Sequence, residues 1–168
     1  IWEGTAATTE VQDTISEATR LAGAFRSSFD LSIEKLEKKK YFSGEMGLAI
    51  GFDYGPMTVT RLGLKGSRVR CSVSSGVLSS EDEQVRCKGT ETAIGQSAYD
   101  EASEAVKKVC GDKRITANLD YFEATEALAD NGDKAANSAR SAGTVASTPA
   151  IAKAQEQVVR PYCRVKVG

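Results

Sequence analysis

The chain has 168 residues, 40% hydrophobic and 27% charged, with a net charge of -1. That suffices for one domain with a real core, and the balanced charge supplies no field to draw it to nucleic acid or an anionic membrane. Histidine is absent, which excludes a Ser-His-Asp triad, a Cys-His dyad and histidine-held metals; any catalysis must rest on carboxylates, Lys, Arg, backbone amides or metal ions held by oxygen.

No apolar run approaches the roughly 20 residues that a membrane span needs, and no signal peptide is recognisable. Cys71, Cys87, Cys110 and Cys163 match no zinc spacing. A chain of this length needs no disulfide staple, so reduced thiols in a cytoplasm are expected. The whole of 1-168 reads as a single domain. Ile1-Trp2-Glu3 has the look of the end of a strand.

A long helix is predicted from about Thr9 to Glu37. Thr9 and Gln12 have capping-box spacing, and Val11, Ile15, Ala18, Ala22, Phe25, Phe29, Ile33 and Leu36 recur every three or four residues. This stripe is expected to pack on a sheet containing Gly47 to Phe52. Burial of Phe25 and Phe29 would then contribute about 1.5 to 3 kcal/mol each. Lys38-Lys39-Lys40 suits the negative end of the helix dipole and reads as a solvated terminus.

Gly47 to Asp53 reads as a strand, Tyr54-Gly55-Pro56 as a turn, and Met57 to Leu62 as the next strand. Arg68 to Val73 is a third, and the three can form an antiparallel meander. Ser80 and Glu83 have the spacing to open a short helix. Thr92 to Gly95 is a brief strand. A helix from Ser97 to about Val109 would stop at Gly111, and Tyr121 to Ala129 forms another. Residues 131-147, rich in Ala, Ser, Gly, Asn and Thr, read as a mobile loop or a weak helix. A helix at Ala150 to Gln157 and a strand at Val158 to Val167 complete the chain, and Pro161 assigns that strand to an edge. The order implies an α+β fold, a largely antiparallel sheet covered by helices.

The segment Leu48-Ala49-Ile50-Gly51-Phe52-Asp53-Tyr54-Gly55-Pro56-Met57, behind a long amphipathic helix, resembles the central strand and turn of class III nucleotidyl cyclases. Ala93-Ile94-Gly95-Gln96-Ser97-Ala98-Tyr99 is similar to a later strand of that family and the helix after it. The resemblance covers about Trp2 to Ser103. It implies a class III cyclase-like fold with a ferredoxin-like core, the N-terminal part of the domain lying upstream of this chain. It also implies a reaction in which the ribose 3′ hydroxyl attacks the α-phosphate of a nucleoside triphosphate and expels pyrophosphate, with Mg²⁺ or Mn²⁺ as two-metal cofactors. The metal aspartates of the family fall upstream, so no metal ligand is expected in this chain, Asp53 included. The resemblance further implies a head-to-tail homodimer with composite active sites.

The family opens one helix with V-N-x-A-x-R. Here Val77 keeps the Val, but Leu78 replaces the Asn and Asp82 the Arg. Those polar groups stabilise charge that develops on the substrate, a task closed to Leu and opposed by Asp. The altered pattern, with Ser79-Ser80-Glu81 and Gln84, is most similar to the bacterial pyrimidine cyclases of anti-phage defence, which make cyclic UMP or cyclic CMP. UTP, before CTP, is the implied substrate. Candidate substrate-binding residues are Cys71, at the family's base-reading position, with Arg70, Ser75 and Arg160. Cys71 reads equally as a buried strand cysteine. Arg160, Arg164 and Lys166 also read as the charges of a protected edge strand. A catalytically dead, nucleotide-binding regulator is the other reading of Leu78 and Asp82, and an unrelated α+β interaction domain the third.

Overall fold

The computed structural model describes residues 10-41 and 44-143. The expected strand end at Ile1, the Thr9 cap, the helix at 150-157 and the strand at 158-167 with Arg160, Arg164 and Lys166 lie outside the described residues.

Helix α1 runs over Val11–Lys38 and starts behind Glu10, whose side chain makes no capping bond. Val11, Ile15 and Ala22 of the predicted stripe enter the core or its margin. The second half of the stripe does not follow: Phe25 is 57% exposed and Leu36 is exposed too. The buried face instead carries Ser16, Thr19, Arg20, Gly23 and Arg26. Its small residues allow close approach; a Cβ on Gly23 would come within 2.6 Å of the Asp120 carbonyl oxygen. The expected burial energy of Phe25 is therefore not realised in this chain, while Phe29 is half-buried.

Strand β1 (Ile50–Phe52) does not join a meander with the next two strands. It pairs in parallel with β4 (Glu91–Ile94), aligning Gly51 with Ala93, and β4 pairs antiparallel with β5 (Ile115–Ala117). Strands β2 (Met57–Leu64) and β3 (Ser67–Ser74) form a separate antiparallel ribbon. The two readings diverge because hairpin signals fix only local pairing, whereas the parallel partner of β1 arrives much later in sequence, Thr92 standing beside Ile50.

Helix α2 (Ser75–Arg86) follows β3 directly. It starts a full turn before the predicted Ser80, because the Ser74 hydroxyl accepts from Gly76 N–H at 3.0 Å and caps it there. The single helix expected from Ser97 to Val109 is two: α3 (Gln96–Glu101) and α4 (Glu104–Cys110). Ala102 and Ser103 break it with extended backbone, and the Ser103 hydroxyl caps α4. Gly111, with φ 60, ends α4 as expected. Helix α5 (Tyr121–Asp130) opens on a reciprocal capping box between Asp120 and Glu123. Within 131-147 the weak-helix alternative forms: α6 occupies Lys134–Gly143, with Asp133 accepting from Ala136 N–H at 2.8 Å. Residues 144-147 lie outside the described residues.

The core gathers Ile15, Ile94, Ala98, Val106, Cys110 and Leu128, with Phe52, Tyr99 and Val109 at its margin. Full burial of Ile94, Val106 and Leu128 contributes about 1.5 to 3 kcal/mol each. Helices α1, α5 and α6 pack together on one side, and α2 lies across β1. The α+β class and the largely antiparallel pairing are as expected, with β1 and β4 the parallel pair among the described strands.

Two glycines permit the closest approaches. A Cβ on Gly51 would collide with the backbone of Ser80 and Gln84 in α2, and one on Gly95 with the Asp53 side chain. Gly51→Ala must push α2 off β1, and is expected to cost about 1 to 3 kcal/mol. Urea unfolding followed by circular dichroism measures this as a lower midpoint at unchanged slope.

Candidate nucleotide site

Three segments converge where the sequence placed the candidate chemistry. They are the turn after β1, the end of β3 and the start of α2. The Ser74 hydroxyl donates to the Pro56 carbonyl at 2.9 Å while capping α2. Gly55 and Gly76 stand back to back, a Cβ on Gly55 falling 3.3 Å from Gly76 N. Ser75, exposed at the first position of α2, belongs to this corner. Cys71 lies slightly earlier on β3, half-buried with a free thiol. Arg70 precedes it and stands opposite Arg61 in the ribbon register. Arg160 lies outside the described residues, so the structure does not bring it to the corner.

Leu78 and Asp82 both sit on the outer surface of α2, Leu78 at 66% exposed. Neither offers a hydrogen-bond donor where the class III pattern has Asn and Arg.

Asp53 has a structural task. Its Oδ1 accepts from Tyr54 N–H and Ala98 N–H, both at 2.8 Å, and so ties the turn after β1 to the start of α3. Among the described residues no group of three or more His, Cys, Asp or Glu could hold a metal ion.

Sequence reasoning missed a charged clamp beneath α2. Glu83, with its side chain 13% exposed, is held by Arg86 on its own helix and by Arg114 Nη1 at 3.2 Å. The Ser80 to Glu83 spacing read as a helix start; Glu83 lies instead in the last turn of α2, facing the sheet. Arg114 left no local signal, since it is 31 residues away and takes a left-handed backbone, φ 56. Arg26, a buried cation, donates to the Thr92 hydroxyl at 3.2 Å. Burial lowers its pKa below the usual guanidinium value, with Asp30 and Cys87 acting in the opposite direction.

No family model matches the chain. A solved structure described as a class III adenylyl cyclase-like ATP-binding protein from Pseudomonas aeruginosa superposes with TM-score 0.69 at 59% identity, covering 75% of this chain and 27% of that one. The fold is thus class III cyclase-like. Two curated proteins named uridylate cyclase are similar in sequence. That of Pseudomonas aeruginosa is 56% identical over 98% of this chain and 32% of its own length. That of a Rhizobium species is 37% identical over 63% of this chain and 20% of its own length. The resemblance to class III nucleotidyl cyclases, and among them to bacterial uridylate cyclases, is shown by these matches. The chain spans about a third or less of the length of these relatives.

The cysteines offer a check on the site's placement. Burial pushes the Cys110 thiol up to about 12, so its reactive thiolate is scarce at neutral pH. Iodoacetamide at mildly alkaline pH should label Cys71 in the folded protein and spare Cys110. Peptide mass spectrometry reads both, and unfolding in guanidinium should make Cys110 reactive.

Proposed function

We propose that the protein containing this chain is a nucleotidyl cyclase, which converts a nucleoside triphosphate, UTP before CTP, to a 3′,5′-cyclic nucleotide and pyrophosphate. The observation that supports this most is the 56% identity to a protein named uridylate cyclase across 98% of the chain, joined to the class III cyclase-like fold. The product would act as a second messenger in anti-phage defence within the cytoplasm. Among the described residues no helix is long and apolar enough to cross a membrane, in keeping with that setting. The Mg²⁺ or Mn²⁺ ions of such a reaction would be held by residues outside those described. This chain would contribute the base-facing end of the ribbon at Cys71 and the helix after it.

A homodimer with composite sites fits the surface. Val77, Leu78 and Val85 on α2 and Leu62, Leu64, Val69 and Val73 on the ribbon are large apolar side chains left exposed in a single copy. A two-fold arrangement would use the same patches twice.

One observation favours a second reading. Leu78 and Asp82 stand exposed with no donor to offer, and the solved neighbour is described as ATP-binding. A catalytically silent nucleotide-binding regulator would need no charge stabilisation at those positions.

Incubation of the full-length protein with each of the four ribonucleoside triphosphates and Mn²⁺, with products identified by mass, separates the readings. Cyclic UMP is the expected product. Cyclic AMP or cyclic GMP alone would overturn the pyrimidine assignment, and binding without product would establish the silent regulator. For the dimer, Leu78→Arg is expected to abolish self-association and activity together, by placing an unpaired charge in the seam. Sedimentation showing a stable, active wild-type monomer would end the dimer reading.

A further inference from the structure

Helix α2 carries Ser75, Leu78 and Asp82, yet its only buried residue is Gly76. No apolar side chain of α2 is buried, so the hydrophobic effect does little to fix its depth or rotation on the sheet. Two other devices do. One is the contact of its backbone with Gly51. The other is a polar clamp at its last turn.

Arg114 is the centre of that clamp. Its carbonyl accepts from Ile94 N–H at 3.0 Å, and its Nη1 donates to the Ile94 carbonyl at 3.1 Å. Ile94, the last residue of β4, lies in the middle of the core at 1% exposed. Arg114 therefore grips a deeply buried point of the sheet with both main chain and side chain. The same Nη1 reaches Glu83 on α2. Arg86, which also bonds Glu83, donates to the carbonyl of Lys113 at 3.3 Å, next to Arg114. Arg114 takes a left-handed backbone, φ 56, a conformation that a bulky residue adopts only where its surroundings hold it.

The geometry points to Arg114 as a positioning residue for the nucleotide site: through Glu83 it sets the seat of α2, and with it the placement of Ser75 and of the helix surface at Leu78 and Asp82. This rests on the cyclase reading above. Arg114 touches no substrate in this scheme. It acts by holding the helix whose other end meets the turn after β1.

The test uses the full-length protein with Arg114→Asn, Arg114→Lys and Glu83→Gln. Asn accepts a left-handed backbone, so Arg114→Asn removes the guanidinium without straining the turn. Hydrogen exchange is expected to quicken in the amides of residues 75-86 and to stay unchanged in those of 121-130. With UTP and Mn²⁺, kcat/KM is expected to fall about 10- to 100-fold, as it does when a reacting group is slightly misplaced. Arg114→Lys should recover part of the loss, because one cationic donor remains. Combining Arg114→Asn with Glu83→Gln should cost no more than either alone, the mark of a shared interaction.

A lower melting temperature with unchanged kcat/KM would reduce Arg114 to scaffolding and overturn the proposal. Unchanged exchange in residues 75-86 would overturn it as well. If the wild type binds UTP without converting it, the comparison is read as binding, and an affinity equal in wild type and Arg114→Asn overturns the proposal. A wild type that binds no nucleoside triphosphate overturns the cyclase reading and the proposal together. That result is recognisable as a failure of the reading, since the exchange measurement needs no substrate.

Discussion

The backbone-to-backbone contact between α2 and β1 at Gly51 is the constraint on which the site depends. A helix that rests on a strand without side chains between them has no apolar layer to slide on. Its position is set by sterics at Ser80 and Gln84 and by polar bonds at both of its ends. The chain supplies both within a short compass. Ser74 caps the helix and bonds the turn after β1, and Glu83 is drawn to the sheet by two arginines. Just past β4, a missing Cβ at Gly95 leaves room for the Asp53 side chain to bond the start of α3.

Helix α1 reverses the usual division between its faces. Beside Ile15 and Ala22 its inward face carries Ser16, Thr19, Arg20, Gly23 and Arg26, while Leu21, Phe25, Leu31 and Leu36 face outward. The Ser16 hydroxyl and the Nε atoms of Arg20 and Arg26 are buried without a partner among the described residues. Burial of unpaired polar groups costs stability, and exposed apolar ridges add none. The strong core around Ile94, Val106 and Leu128 offsets both.

The departures from the class III pattern also gain meaning from position. Leu78 and Asp82 are surface residues of α2, so their chemistry is not dictated by the core of this chain. Cys71 on the ribbon is similarly free of core duties, in contrast to Cys110, which burial makes inert.

By itself the sequence determined the elements whose signals are local. Apolar spacing located α1 and α5, glycine punctuation ended α4, and the run from Leu48 to Met57 carried the cyclase resemblance. It also placed Cys71 on a strand and Asp82 on the helix after it, whereas Ser75 and Leu78 precede the helix start expected at Ser80. Three things were decided only by tertiary structure. β1 chose β4 over β2, because parallel pairing joins residues distant in the chain and leaves no turn signature. The buried face of α1 is rotated from its apolar stripe, because Gly23 and its small neighbours fit the start of α5 more closely than Phe25 could. Glu83 met Arg114 across 31 residues through a backbone conformation that residue identity does not announce. Local spacing records which face a segment can present; only the assembled chain determines which partner arrives to meet it.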